Sequence, residues 1–208
     1  MKLAVFDFDS TLMDGETIDF LANELGIGEK VAHITEEAMS GRLDFFESLT
    51  TRVSLLKGMP YQRVVDICKD LPLMPGALEI VPALQERGYK VVCFSGGFRV
   101  ATTPAKDILG LDADFSNVLH HKDGFLTGLI GGDMMFDYSK GDMIQRIQNL
   151  MGITRADTLV VGDGANDRSM FAQADTSIAF CARDILKKEA THIVDTKDLR
   201  EIIKVVGL

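Results

Sequence analysis

Apolar strands and amphipathic helices alternate along most of this chain, and a run of four helices interrupts the alternation. Residues 2–8 form a short apolar run that predicts a buried strand. Four segments with helical spacing follow, each ending at or near Gly or Pro, with no strand pattern between them. A regular alternating sheet cannot contain such a run, so we predict a helical cap inserted at residues 14–74.

The alternation resumes after Pro75 and continues to residue 208. A KDG turn between two short strand patterns predicts a small antiparallel β-hairpin within residues 112–137. We therefore predict an α/β fold, a doubly wound parallel sheet with the inserted helical-bundle cap and the hairpin. The catalytic core would comprise residues 1–13 and 75–208.

Two prolines lie inside predicted helices of this core. Pro82 lies within residues 77–87, and Pro104 lies in the next helix, which ends at Gly110. Because proline lacks the backbone N–H that a helix needs, each should kink or split its helix.

Composition and charge restrict the class of partner. A chain of 208 residues with 46% hydrophobic and 25% charged residues is typical of a globular protein with one core domain and a smaller insert. Its net charge of −9 argues against nucleic acid and anionic membrane as partners, since both require a cationic face. A small anionic substrate would need local positive charge, from a metal ion or a few placed Lys and Arg.

The cysteines and the amino-terminal residues indicate the compartment. Cys68, Cys93 and Cys181 are odd in number, far apart and embedded in apolar stretches, which predicts buried thiols in a reducing compartment. The first ten residues become acidic before a signal-type apolar core could form, and no apolar run approaches about 18 residues. We expect a cytoplasmic protein.

The first strand is followed by two acids, Asp7 and Asp9. Residues i and i+2 of an extended chain point to the same side, so these carboxylates would repel each other. A divalent cation, or environments that separate their proton affinities, would make the pair stable. For an isolated pair, a helix cap formed by Asp9 and Ser10 is about equally plausible.

The ends of two later strands carry residues suited to a phosphate and a cation. Ser95 offers a hydroxyl, and Gly96 and Gly97 offer accessible N–H groups before a helix, although a tight turn alone would also favour glycine. After a later strand, Asp163 and Asp167 flank Asn166, and capping explains each of them singly.

The carboxyl ends of parallel strands meet at one edge of a sheet, where ligands bind at the point of strand-order reversal. Asp7, Asp9, Asp163 and Asp167 would therefore converge, and Mg²⁺ is the cation that best suits such oxygen ligands. Lys140 opens a helix, where a cation opposes the dipole. It is either an ordinary surface lysine or a group that neutralises phosphate and carboxylate charge.

Four motifs occur in one order along the chain. They are DFDST at 7–11, SGG at 95–97, Lys140, and GDGAND at 162–167. This set resembles the haloacid dehalogenase superfamily of phosphotransferases, and the resemblance covers nearly the full length. ETID at 16–19 and the segment 36–58 are similar to members of this superfamily that act on O-phospho-L-serine. The resemblance implies Mg²⁺-dependent hydrolysis of that ester through a phosphoaspartyl intermediate, as the last step of L-serine biosynthesis.

The resemblance also implies residue roles. Asp7 would attack phosphorus, and Asp9 would act as general acid and then general base. Mg²⁺ would bind the Asp7 carboxylate, the Asp9 backbone carbonyl and Asp163, with Asp167 in or near the second layer of contacts. The phosphoryl oxygens would be bound by Ser95, Gly96 and Lys140.

Substrate selectivity would come from the cap. By the resemblance, Arg52 would bind the substrate carboxylate and Glu16 its ammonium, while Met39, Phe45 and Asn166 would contact the rest. From spacing alone, a solvated helix face is the simpler explanation for Glu16 and Arg52, and ordinary cap core is the alternative for Met39 and Phe45.

Two other functions remain open from the sequence. One is a phosphatase or phosphotransferase for another small phosphate ester, with the same core and a different cap preference. The other is a signalling receiver, which also gathers carboxylates and a lysine around Mg²⁺. The sequence does not predict an oligomeric state.

Overall fold

The computed structural model describes residues 1–39 and 42–207, without the side chain of Met39. Within that part, seven strands form one sheet in the order β4-β3-β2-β1-β5-β6-β7. The strands are β1 (Lys2–Asp7), β2 (Tyr89–Phe98), β3 (Ala113–Lys122), β4 (Phe125–Gly132), β5 (Thr158–Gly162), β6 (Thr176–Phe180) and β7 (His192–Val194). Neighbouring strands are parallel, apart from the antiparallel pair β3 and β4.

Helices cover the sheet and fill the segment after β1. They are α1 (Thr17–Glu24), α2 (Gly28–Met39), α3 (Phe45–Ser54), α4 (Tyr61–Lys69), α5 (Ala77–Gln85), α6 (Arg99–Leu109), α7 (Ser139–Met151), α8 (Arg168–Phe171), α9 (Asp184–Lys187) and α10 (Arg200–Val205). The predicted α/β fold is confirmed, and the hairpin β3–β4 extends the main sheet instead of standing apart.

Strand β1 lies at the centre of the sheet, where the strand order reverses. It pairs with β2 on one side and with β5 on the other. Its side chains alternate between two cores: Ala4 and Phe6 join the larger one, and Leu3 and Val5 join the smaller one. This alternation explains why helices are needed on both faces, and it places the end of β1 at the usual position of a ligand site.

Helices α1–α4 form a module that leaves the sheet after β1 and returns before α5. The two connecting segments run side by side: Met13 forms an antiparallel bridge with Leu73, and the N–H of Met74 donates to the carbonyl of Leu12 at 2.9 Å. The module buries apolar residues against the larger core, among them Leu21 and Leu49. Burial of such side chains contributes about 1.5–3 kcal/mol each to folding.

Two expectations about single residues are wrong. The cysteine expectation fails for Cys181, which is exposed, whereas Cys68 and Cys93 are buried. The helices α5 and α6 continue through Pro82 and Pro104 instead of splitting. For α5 the physical reason is that the carbonyl left without a donor belongs to Leu78, an exposed residue that water can reach.

None of the helices described within residues 1–39 and 42–207 combines the length and apolar character needed to cross a lipid bilayer.

Candidate active site

Asp7 and Asp9 lie together at the end of β1, although the strand does not extend to Asp9. Asp7 is the last residue of β1 and is buried. The chain then makes a tight turn over Phe8–Leu12, in which Ser10 has a φ of 59°. Both carboxyl groups line one cavity. The turn, and not strand alternation, therefore brings the two acids together.

The Asp9 carboxylate is held at both oxygens. Thr17, the first residue of α1, donates its backbone N–H and its hydroxyl to Oδ1, each at 2.6 Å. The Ser95 hydroxyl donates to Oδ2 at 3.1 Å. Asp9 is thus oriented from the helical module on one side and from the end of β2 on the other.

Lys140 bridges two of the acids in the protein interior. It is the second residue of α7 and is buried, and its Nζ lies 2.7 Å from Asp7 Oδ1 and 2.6 Å from Asp167 Oδ1. The two carboxylates raise the pKa of Lys140 against the effect of its burial. An ammonium in this position offsets negative charge at the site, so the surface-lysine interpretation is wrong.

Three buried acids form a cluster at the sheet edge. Asp7, Asp163 and Asp167 each offer a carboxylate oxygen, and these oxygens lie within 4.8 Å of one another. Burial and the charge of Asp167 raise the pKa of Asp7 to about 8. Burial and the charge of Asp7 raise the pKa of Asp163 well above its usual range. One ammonium among three buried carboxylates leaves the site short of positive charge.

Asp163 carries the free ligand atom of this cluster. In the described part of the chain, its buried Oδ1 has no hydrogen-bond partner. Asp167 has both oxygens occupied, because Oδ2 accepts from the N–H groups of Asp163 and Gly164 at 2.9 and 3.1 Å. A cation would therefore meet the Asp7 carboxylate and the unpartnered Oδ1 of Asp163, with Asp167 behind them, and hard oxygen ligands of this kind fit a divalent metal ion.

The segment Ser95–Gly97 lies beside Asp9, on the side of the site formed by β2. Strand β2 continues through it to Phe98, and α6 begins at the next residue. The Ser95 hydroxyl accepts from the Gly97 N–H at 2.8 Å. A Cβ on Gly97 would lie 2.7 Å from Asp9 Oδ2, so this position has no room for a side chain. We call residues 95–97 the phosphate loop, after the expectation from the sequence.

Asn117 ties the phosphate loop to the segment before Lys140. This buried side chain donates from Nδ2 to the carbonyls of Gly96 and Met134, both at 3.0 Å. Its Oδ1 accepts from the Met134 N–H at 3.0 Å. Sequence reasoning missed Asn117, because an asparagine inside a strand pattern carries no local signal of its distant partners.

Two polar side chains, Glu16 and Arg52, lie over the end of β1 at the side of the helical module. Glu16 accepts from the Ser10 hydroxyl at 2.8 Å, and burial together with the charge of Asp9 raises the pKa of Glu16 to about 8. Arg52 is buried, and its guanidinium donates to the Thr35 hydroxyl at 3.0 Å. Burial lowers the pKa of Arg52. A carboxyl group and a guanidinium therefore face the same cavity.

The cavity collects most of the predicted site residues. Its lining comprises Asp7, Asp9, Glu16, Thr17, Ile18, Phe45, Leu49, Arg52, Gly96, Gly97, Phe98 and Asn166. The predicted residues Ser95, Lys140, Asp163 and Asp167 lie next to this lining. The side chain of Met39 lies outside the described part. Thr17 also escaped prediction, since its contact with Asp9 depends on how α1 docks.

A family model and known proteins match this arrangement. The model of the haloacid dehalogenase-like hydrolases matches residues 1–175. The chain belongs to the haloacid dehalogenase-like hydrolases. Membership of this family makes it an enzyme and rules out the signalling receiver.

Relatives and solved structures within this hydrolase family are similar over the whole chain. A phosphoserine phosphatase of Wolinella succinogenes is 60% identical over 203 residues, 98% of both chains. One of Campylobacter jejuni subsp. doylei is 52% identical over 206 residues, 99% of this chain and 100% of the relative. A solved phospho-aspartyl intermediate analogue of phosphoserine phosphatase is 48% identical and superposes with a TM-score of 0.95, covering 98% of this chain and 97% of the other.

Proposed function

We propose that this hydrolase is a phosphoserine phosphatase that hydrolyses O-phospho-L-serine to L-serine and phosphate. The observation that carries the proposal is the cavity in which Glu16 and Arg52 face Asp7 and Asp9. A phosphorylated amino acid needs these three features together: an acid for its ammonium, a guanidinium for its carboxylate and acids that transfer its phosphate. The identity to phosphoserine phosphatases over the full chain supports the same substrate.

Asp7 is the proposed nucleophile. One of its oxygens is held by Lys140 at 2.7 Å and by the Phe8 N–H at 2.7 Å, which leaves the second oxygen for attack. A bond forms between that oxygen and phosphorus as the bond from phosphorus to the serine oxygen breaks. The solved phospho-aspartyl intermediate analogue of a 48% identical relative supports this step.

Asp9 is the proposed general acid and base. It delivers a proton to the departing serine oxygen, and then accepts one from the water that attacks the phosphoaspartate. Attack by water breaks the bond between phosphorus and the Asp7 oxygen and releases phosphate. The hydrogen bonds from Thr17 and Ser95 keep the carboxyl group in position for both transfers.

The phosphoryl oxygens are proposed to bind Ser95, the Gly96 N–H and Lys140. These groups converge from β2 and α7 on the end of β1. Their task is to stabilise the charge that spreads over the phosphoryl group as it transfers.

Mg²⁺ is the proposed metal ion. The Asp7 and Asp163 carboxylates and the Asp9 backbone carbonyl would hold it, with Asp167 behind them, and the unpartnered Oδ1 of Asp163 supports this set. The ion supplies positive charge that offsets the carboxylates and the phosphate dianion.

Residues 14–74 are proposed to act as a cap domain, and residues 1–13 and 75–208 as the catalytic core. In the cap, Arg52 binds the substrate carboxylate, Glu16 binds its ammonium, and Phe45 and Met39 wall the pocket. Asn166 contacts polar groups of the substrate from the core. The cytoplasmic location stays a prediction, and so does a role in the last step of L-serine biosynthesis.

The experiment that tests the substrate compares esters that each lack one charged group. Phosphoethanolamine has no carboxylate, and the phosphate ester of 3-hydroxypropionate has no ammonium. We expect kcat/KM for phosphoserine to exceed both by at least about a hundredfold, since buried charged groups would lose their partners. Arg52→Lys should lower kcat/KM for phosphoserine strongly and kcat/KM for phosphoethanolamine little. Glu16→Gln should lower kcat/KM for phosphoserine and leave kcat/KM for the hydroxypropionate ester nearly unchanged. Equal rates with all three esters and a sugar phosphate would instead support a general phosphatase.

A further inference from the structure

Three aromatic rings stack on the surface where α3 meets the loop before α7. Phe46 stacks on Phe136 with centroids 5.1 Å apart, and Phe136 stacks on Tyr138 at 5.2 Å. Phe46 is 40% exposed, Phe136 is 42% exposed and Tyr138 is 54% exposed. We call these three residues the aromatic stack. Because these rings are about half exposed, they add little to the apolar core. We therefore looked for a role other than core packing in their arrangement.

The loop that carries two of the rings is fixed to the core. The Ser169 hydroxyl donates to the Asp137 carbonyl at 2.7 Å. Met134, earlier in the loop, exchanges two hydrogen bonds with the Asn117 side chain. Phe136 and Tyr138 therefore offer a surface that keeps its place when a neighbouring element moves.

The third ring belongs to the helical module and has a neighbour in the active site. Phe45 and Phe46 both lie in the first turn of α3, which Asp44 caps by accepting from the Glu47 N–H at 2.9 Å. Phe45 rests on the phosphate loop, because a Cβ on Gly96 would lie 2.6 Å from its Cζ atom. A contact that holds Phe46 therefore also holds Phe45 over the proposed phosphate site.

The segment that joins α3 to α4 is attached to the hairpin by backbone hydrogen bonds. The Gly58 N–H donates to the Leu126 carbonyl at 2.8 Å, and the Leu126 N–H donates to the Met59 carbonyl at 2.9 Å. The Tyr61 N–H donates to the Gly124 carbonyl at 2.8 Å. Three backbone hydrogen bonds together contribute more than one partly exposed ring pair, so the two sides of α3 differ in how easily they separate from the core.

We propose that the aromatic stack is a latch, in which Phe46 docks on Phe136 and thereby positions Phe45 over the phosphate loop. Helix α3 releases at this end while its other end stays attached to the hairpin. Arg52 lies in the last turn of the same helix, near the attached side, so release moves Phe45 further than the guanidinium. The inference rests on the proposed function, and Phe46 acts in it as a positioning residue.

Steady-state kinetics of the full chain with Mg²⁺ test the latch. One stacked pair changes an equilibrium by a factor of roughly 2 to 13. We expect Phe46→Ala to raise KM for phosphoserine by that factor while kcat changes less than about twofold. Phe46→Tyr, which keeps a stacking ring, should restore KM. The control Leu150→Ala removes a side chain that is 86% exposed and should change neither constant. A KM for Phe46→Ala equal to that of the unaltered protein would overturn the proposal.

A second readout does not depend on which ester is the substrate. The chain contains no tryptophan, so Phe46→Trp introduces a single reporter into the stack. We expect acrylamide to quench this tryptophan less after addition of Mg²⁺ and beryllium fluoride, a phosphoryl mimic, at a concentration that inhibits turnover. The double variant Phe46→Trp/Phe136→Ala should lose the change. Failure to hydrolyse phosphoserine would reject the proposed function alone, whereas unchanged quenching would reject the latch.

Discussion

Thr17 holds Asp9 through two hydrogen bonds to one carboxylate oxygen, from its backbone N–H and from its hydroxyl, each at 2.6 Å. Thr17 is the first residue of α1, so the start of the helical module orients the proposed general acid of the core. A proton donor on a tight turn needs such support, because a shift of about 1 Å in a reacting group is costly to the rate.

Replacement of Thr17 by valine should therefore slow catalysis. Thr17→Val keeps the shape and the N–H donor and removes the hydroxyl. A hydrogen bond to a charged group contributes about 1.5–3 kcal/mol, which corresponds to a drop in kcat of roughly 10- to 150-fold. Thr17→Ser, which keeps the hydroxyl, should stay close to the unaltered protein. A kcat for Thr17→Val within twofold of that protein would show that the hydroxyl has no part in orienting Asp9.

A methyl group on the phosphate loop should hinder closure of the module. In Gly96→Ala the new Cβ would lie 2.6 Å from the Phe45 Cζ atom, so the ring must move away. We expect KM for phosphoserine to rise about tenfold, the equivalent of roughly 1.4 kcal/mol, with little change in the melting temperature. Phe45→Leu in the same chain should recover part of the loss.

Gly131→Ala is the matched control for this change, since a Cβ there would meet no described atom within 4 Å. An unaltered KM in Gly96→Ala would mean that Phe45 does not need to approach the phosphate loop.

Loss of the Asn117 side chain should affect both stability and rate. Asn117→Leu removes three hydrogen bonds of a buried side chain that join Gly96 to Met134, and leaves their backbone groups without partners. We expect the free energy of unfolding to fall by about 2–4 kcal/mol, and kcat to fall because the segment before Lys140 loosens. Denaturant melts and kinetics measure both. Asn149→Leu, at an exposed position on α7, should change neither, and equal effects in the two variants would argue against this role.

The Asp163 carboxylate should lower the free energy of unfolding without a metal ion and raise it when Mg²⁺ is bound. Asp163→Asn removes a buried carboxylate beside Asp7 and Asp167, so it should stabilise the metal-free protein by relieving repulsion. In the unaltered protein, Mg²⁺ at a hundred times its dissociation constant should add about 2.7 kcal/mol to the free energy of unfolding. Asp163→Asn should lose that gain. Thermal melts in EDTA test whether Asp163→Asn stabilises the metal-free protein, and melts with Mg²⁺ test whether the variant loses the gain. A gain with Mg²⁺ as large as in the unaltered protein would show that Asp163 is not a metal ligand.

The fold followed from the sequence where the signal was local. An apolar run located β1 to within one residue, and helical spacing predicted the run of four helices after it, because buried strands and amphipathic helices each have a characteristic period along the sequence. Pro82 misled the prediction because the sequence alone does not show where the carbonyl left without a donor lies, and that carbonyl belongs to the exposed Leu78.

The site followed from the sequence where residues are grouped in short motifs. The resemblance of those motifs to a family identified residues such as Asp7, Ser95 and Lys140, which the fold brings together. Asn117 and the partners of Phe46 could not be predicted, because their contacts join segments that are close only after the sheet has formed.

Acid quenching of the enzyme during turnover of radiolabelled phosphoserine tests whether Asp7 carries the phosphoryl group. We expect an acid-stable, hydroxylamine-sensitive label on Asp7, which is absent in Asp7→Asn and persists longer in Asp9→Asn because the attack by water lacks its base. Label on another residue, or substantial turnover by Asp7→Asn, would contradict this expectation.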